Sequence, residues 1–113
     1  MNANLGRELD DLSAALAQSL VPTHIHGGIW RYVVEGIPPG DFLLAVLDNN
    51  LTRAFGCADD RNTEHMHDIV KFMYNEVPSM CWGTPERVVA WRLHKGLSGL
   101  PQYQDAQPQG DGQ

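Results

Sequence analysis

Apolar residues recur along this chain at three- and four-residue steps, and helix-breaking stops cut the pattern at Pro22, at Gly36-Ile37-Pro38-Pro39-Gly40 and at Pro78. Such spacing gathers apolar side chains onto one stripe of an α-helix. Proline lacks the amide donor that a helix interior needs and restricts the residue before it, so each stop closes a helix. No stretch alternates apolar and polar residues over a useful strand length. The expectation is an all-α fold, a small bundle of about five helices.

Residues 4–20 place Leu5, Leu9, Leu12, Leu16 and Leu20 on one stripe, for packing on the domain or against a second copy. Thr23 serves as N-cap of a helix over 23–35 that puts Ile25, Ile29, Tyr32 and Val33 on a shared face, with Gly36 as C-cap. Asp41 opens a short helix with Phe42 and Val46 inward, broken at Asn49-Asn50 before residues 51–58. Asp59-Asp60 reads as the start of a longer helix near 61–76, with Met66, Ile69, Val70, Met73 and Val77 as its core stripe. The clearest start signal is Thr84-Pro85-Glu86, a capping hydroxyl, a proline at the first helical position and an acid in the positive first turn. That last helix runs to about Lys95 and buries Val88 and Trp91. From Leu97 onward the chain is rich in Gln, Gly and Pro and reads as disordered. The organisation expected is an N-terminal helical extension over 1–21, a helical core domain over 22–96 and a tail over 97–113.

The 113 residues suit one domain, and with 42% apolar residues they supply one modest core. A domain this small gains from self-association, so a homo-oligomer is expected. The net charge of −6 is spread as −2 in each of 1–21, 22–96 and 97–113. No block is basic, which argues against sequence-independent nucleic-acid binding, since that needs clustered Lys and Arg to displace counterions. An acidic surface suits a basic partner protein instead. No stretch approaches the ~18 apolar residues of a membrane span, and no basic n-region with an apolar run marks a secretory signal. The cytosol is the compartment expected, with Cys57 and Cys81 as reduced, buried thiols.

Two HxH pairs, His24/His26 and His65/His67, invite a zinc reading. Both fall in helical segments, where residues two apart point about 200° away from one another, whereas chelation prefers a spacing of three or four. The reading is therefore one packed and one exposed histidine per pair, with no metal site. Neither cysteine stands in a recognisable nucleophile setting, and Trp82-Gly83 reads as a packing plug. No glycine-rich phosphate loop is present and no cofactor is expected. A softer constellation is Trp30, Arg31 and Tyr32 after the double glycine Gly27-Gly28, with His26 beside it and Asn49, Asn50 and Arg53 after the next helix. Arginine grips phosphate bidentately, asparagine reads base or ribose edges, and an aromatic face stacks on a base. Together these residues are the candidate ligand-binding set for a nucleotide-like anion. The competing expectation pairs Arg31 and Arg53 with Glu35, Asp48 or Asp59 on the surface.

The runs GIPPGDFL (residues 36–43), AVLDNNL (45–51) and CWGTPE (81–86) resemble a family of small proteins encoded by bacteriophages and prophages. The resemblance covers residues 22–95, about two-thirds of the chain. It implies a small, helical, phage-encoded accessory protein acting in the host cytoplasm, and it carries over no catalytic residue. By analogy with proteins of that size and origin it implies a non-enzymatic sponge of a nucleotide-derived signal. The alternative is an inhibitor or adaptor that binds a host defence protein through its acidic surface and N-terminal helix.

Overall fold

The computed structural model describes residues 3–101, and among these every regular element is helical. Seven α-helices follow in order: α1 (Ala3–Gln18), α2 (His26–Glu35), α3 (Asp41–Leu47), α4 (Leu51–Cys57), α5 (Asp60–Glu64), α6 (Met66–Glu76) and α7 (Pro85–Leu93). Short 3-10 turns at Thr23–Ile25, Ser79–Cys81 and Leu97–Gly99 join or follow them.

The count exceeds the expected five for two local reasons. The single helix expected near 61–76 breaks at His65, whose φ of −107° and ψ of 18° leave the helical region. The segment after Asn49-Asn50 closes into a helix of its own, because the Asn50 side chain accepts from the Arg53 amide at 3.1 Å. Asn49 makes the turn possible with φ 65°, a left-handed conformation that asparagine tolerates better than most residues. Three terminal signals read from sequence are met. Thr84 Oγ1 accepts from the Arg87 amide, Asp59 Oδ1 accepts from the Asn62 amide, and Gly36 closes α2 at φ 71°. Thr23 differs: it lies in a 3-10 turn, and α2 begins at His26 without a side-chain cap.

One hydrophobic core runs through the described residues. Leu12 and Leu16 of α1 are buried in it, with Leu5 and Leu9 half-buried against it, so α1 is part of the domain rather than an extension. Leu20 falls past the end of α1 and is exposed. In α6 the core face takes Met66, Ile69, Phe72 and Met73, while Val70, expected inside, is turned outward. Full burial of such side chains stabilises by about 1.5–3 kcal/mol each. Leu97 is also buried, and Ser98 Oγ donates to the Val34 carbonyl at 2.6 Å. The chain is thus packed past Leu97, beyond the boundary expected for the tail; the rest of that tail lies outside the described residues.

Polar struts tie the core across the chain. The Trp91 indole donates to the Tyr32 carbonyl at 3.0 Å, and the Tyr32 hydroxyl donates to the Cys81 carbonyl at 2.6 Å. The Gly83 amide donates to the Leu47 carbonyl at 2.7 Å. These bonds join α7 to α2, and the 79–83 segment to both α2 and α3. They hold rigid the elements from which the candidate site is built.

Candidate functional site

Gly28 and Arg31 lie three residues apart on α2 and so share a face. Where a Cβ on Gly28 would sit, Leu43 Cδ1 of α3 lies 3.2 Å away, so the glycine lets the two helices close together. The stiff Ile37-Pro38-Pro39-Gly40 connector bridges α2 to α3 beside that contact. The result is a depression of about 260 Å³. Ile25, Ile37, Pro38, Pro39 and Leu43 give it apolar walls, and His24 and Arg31 supply its polar side chains.

Arg31 is exposed, and its guanidinium folds back toward the start of α2, with Nη1 3.0 Å from where a Gly27 Cβ would be. Long helical side chains lean toward the N-terminus in this way. Among the described residues no carboxylate lies within ion-pair distance of it, so the expected partners Glu35, Asp48 and Asp59 do not neutralise it. His24 is already engaged: its Nε2 donates to Asp59 Oδ2 at 2.9 Å. The Asn62 amide, and after it His24, hold the Asp59 carboxyl below the usual aspartate range. The stabilisation from this pairing is complete above the unfolded value of roughly 4 and is lost as pH falls through the lower folded value.

The other residues of the expected ligand set stand elsewhere. Tyr32 follows Arg31 directly, and neighbours on a helix point about 100° apart. Arg31 therefore faces the depression while the Tyr32 ring is 1% exposed in the core and not available for stacking. Trp30 is half-buried against the core. His26 Nε2 donates to the Val21 carbonyl at 2.8 Å; a carbonyl only accepts, which places the proton on Nε2 and makes this a local brace. Asn49 and Asn50 line a separate depression with Leu51, Val70 and Trp82. Arg53 does not line the Arg31 depression; its Nη2 lies 3.8 Å from Asp41 Oδ1, a loose exposed pair. Arg31 and Arg53 are thus not joined in one cavity. Sequence reasoning missed His24 and the walls of the Ile37–Gly40 connector. The signal was there in a Pro-Pro connector placed directly after an arginine-bearing helix.

Of the two thiols expected to be buried, one is and one is not. Cys81 is buried, donates Sγ–H to the Pro78 carbonyl at 3.1 Å, and is pushed up to about 12 by burial. Cys57 is exposed. A thiolate is the reactive species, so an aromatic disulfide reagent at pH 8 is expected to titrate one thiol in the native protein and two in denaturant. Two rapidly reacting native thiols would contradict the burial of Cys81.

Among the described residues no group of three His, Cys, Asp or Glu side chains is arranged to hold a metal ion. No helix among them is long and apolar enough to cross a membrane. Compared with known proteins, the chain matches no protein-family profile, no curated protein and no solved structure.

Proposed function

We propose that the protein is a non-enzymatic, phage-encoded accessory protein that sequesters a small anionic, nucleotide-derived ligand in the depression beside α2, in a counter-defence role. One observation carries this reading: an arginine with no acid in ion-pair reach, among the described residues, lines a concave site beside the apolar residues of the Ile37–Gly40 connector. Guanidinium matches phosphate or carboxylate with paired N–H donors. Its stem leaves a helix whose position the core fixes, so ordering on binding is confined to the side chain, at about 0.5–1.5 kcal/mol. The phage setting comes from the resemblance of residues 22–95.

Native mass spectrometry of protein purified from infected cells is expected to show a bound small molecule, lost in Arg31→Gln with the melting temperature unchanged. A hydrogen bond to a charged group contributes about 1.5–3 kcal/mol, so Arg31→Gln should weaken ligand affinity roughly tenfold to a hundredfold. Gly27→Ala separates binding from folding. Alanine favours the helix by up to about 1 kcal/mol, yet its methyl would crowd Arg31 Nη1 at 3.0 Å. The expected result is equal or higher stability with weaker binding. Binding equal to the parent's would mean that the exposed guanidinium moves aside without loss, and lost stability would contradict the open placement of Gly27.

The second reading, an inhibitor or adaptor for a host protein, draws on Asp10 and Asp11, which stay exposed on α1. Removing α1 would not test it, because Leu12 and Leu16 belong to the core. Reversing both charges to lysine would: loss of a co-purifying host protein supports this reading, and its retention opposes it.

A further inference from the structure

We infer that the ligand held at Arg31 carries a single anionic group on a compact body with one apolar face, and is neither a polyphosphate nor a cyclic dinucleotide. This rests on the anion-binding reading above and narrows it by charge, size and wall chemistry.

The charge count comes first. Arg31 is the one lining cation without an acid in ion-pair reach among the described residues. The second candidate, His24, already donates Nε2 to Asp59 at 2.9 Å. The surroundings are acidic: Asp59 holds that histidine, and Asp41 follows Gly40 at the rim, held loosely by Arg53 at 3.8 Å. The whole chain carries −6. A first anionic group meets an uncompensated guanidinium. A second would meet carboxylates, or would have to displace Asp59 or Asp41 from the cation each now holds. Like charges at such range disfavour one another even at the effective dielectric of a protein surface.

Size points the same way. Pockets that enclose drug-sized ligands run from about 300 to 1,000 Å³. The depression, at about 260 Å³, lies just under that range and suits one ring system with its anionic head. The walls state what that body is. The Pro38 and Pro39 rings and the Ile37 side chain, 43% exposed beside the opening, offer apolar surface, while Ile25 and Leu43 are buried behind them. Gly28 and Gly40 present no side chain, so a flat ring can approach the backbone there. A bare anion would leave these walls unused.

The test is calorimetric titration of the full chain and of Arg31→Gln with phenyl phosphate, 3′,5′-cyclic AMP, inorganic sulfate, ATP and cyclic di-AMP at constant ionic strength. The expected result is that phenyl phosphate or cyclic AMP binds at least tenfold more tightly than ATP, cyclic di-AMP or sulfate, and that Arg31→Gln removes the difference. Tighter Arg31-dependent binding of ATP or cyclic di-AMP would overturn the single-charge inference while leaving the anion site standing. Sulfate equal to the best organic probe would overturn the apolar-face part. No Arg31-dependent binding by any of the five would remove the site itself, and this inference with it.

Discussion

Trp91→Ala is expected to lower the melting temperature by more than about 10 °C, the largest drop of any single truncation in α7. The side chain is 0% exposed. Truncating a buried tryptophan costs about 3–5 kcal/mol through lost burial and the cavity left behind. The indole also donates to the Tyr32 carbonyl at 3.0 Å and meets the His94 ring edge-on at a centroid distance of 4.9 Å. The Tyr32 carbonyl keeps the Gly36 amide as donor at 2.9 Å, so removal of the indole costs one of two bonds, about 0.5–1.5 kcal/mol that overlaps the cavity cost. Small domains hold only about 5–15 kcal/mol of net stability, so this one change consumes much of it. Thermal and urea denaturation followed by circular dichroism measure it directly. Trp91→Phe keeps most of the volume and loses the donor, so its loss should be near the hydrogen-bond contribution alone, about 0.5–1.5 kcal/mol. If Trp91→Ala and Trp91→Phe melt together within a few degrees, the side chain is not packed as described. Because Tyr32 precedes Val33 on α2 and follows Arg31, damage at Trp91 should also loosen the helix that carries the proposed anion site.

Much of the fold is legible in the sequence wherever the cause is local. Thr84-Pro85-Glu86 starts α7, Asp59 starts α5 and Gly36 ends α2, because each signal satisfies backbone groups within a few residues of itself. The break at His65 is not legible: no glycine or proline marks it, and its accompanying bond, His65 Nδ1 to Asp68 Oδ2 at 3.0 Å, could equally have formed on an unbroken helix. Val70 and Phe72 exchange the expected inward position because their environment is set by α1 and α4, which no periodicity within α6 records. Leu97 reads as tail because its neighbours are polar; its burial comes from a contact between two distant glycines. The candidate site follows the same rule. The stretch 30–32 suggests three cooperating side chains, but adjacent helical residues diverge, so Arg31 faces the depression while Tyr32 enters the core. Asn50 has a chemistry suited to base edges, and the fold spends it on capping α4. What survives is Arg31. Its partners are an imidazole and a proline wall, recognisable only once α2 and α3 are seen to meet at Gly28.

Gly96→Ala is expected to be about as damaging as Trp91→Ala, although it only adds a methyl group. Gly96 has φ 70° and ψ −157°, a region essentially reserved for glycine that costs another residue about 1–3 kcal/mol. The new Cβ would also fall 2.6 Å from the Gly36 nitrogen and 2.7 Å from the Glu35 nitrogen. Those are backbone atoms at the C-terminus of α2, which no rotamer change can move aside. Overpacking of this kind adds a further ~1–3 kcal/mol. Gly36 stands in the reciprocal position, at φ 71° with its own Cβ site 2.9 Å from the Gly96 nitrogen, so Gly36→Ala should behave alike. If the two losses come from one backbone contact, the double variant will cost clearly less than their sum. Gly40→Ala is the milder comparison: nothing lies within 4 Å of its Cβ position and its φ is −68°, so the loss should be only that of glycine's advantage over alanine at an N-cap, about 1 kcal/mol or less. The comparison bears on function as well as folding. Gly36 is where α2 hands over to the Ile37–Gly40 wall, and it packs directly against the Gly96 backbone. Forcing the two apart shifts the wall relative to Arg31. At temperatures where Gly96→Ala is still folded, its anion affinity should therefore fall.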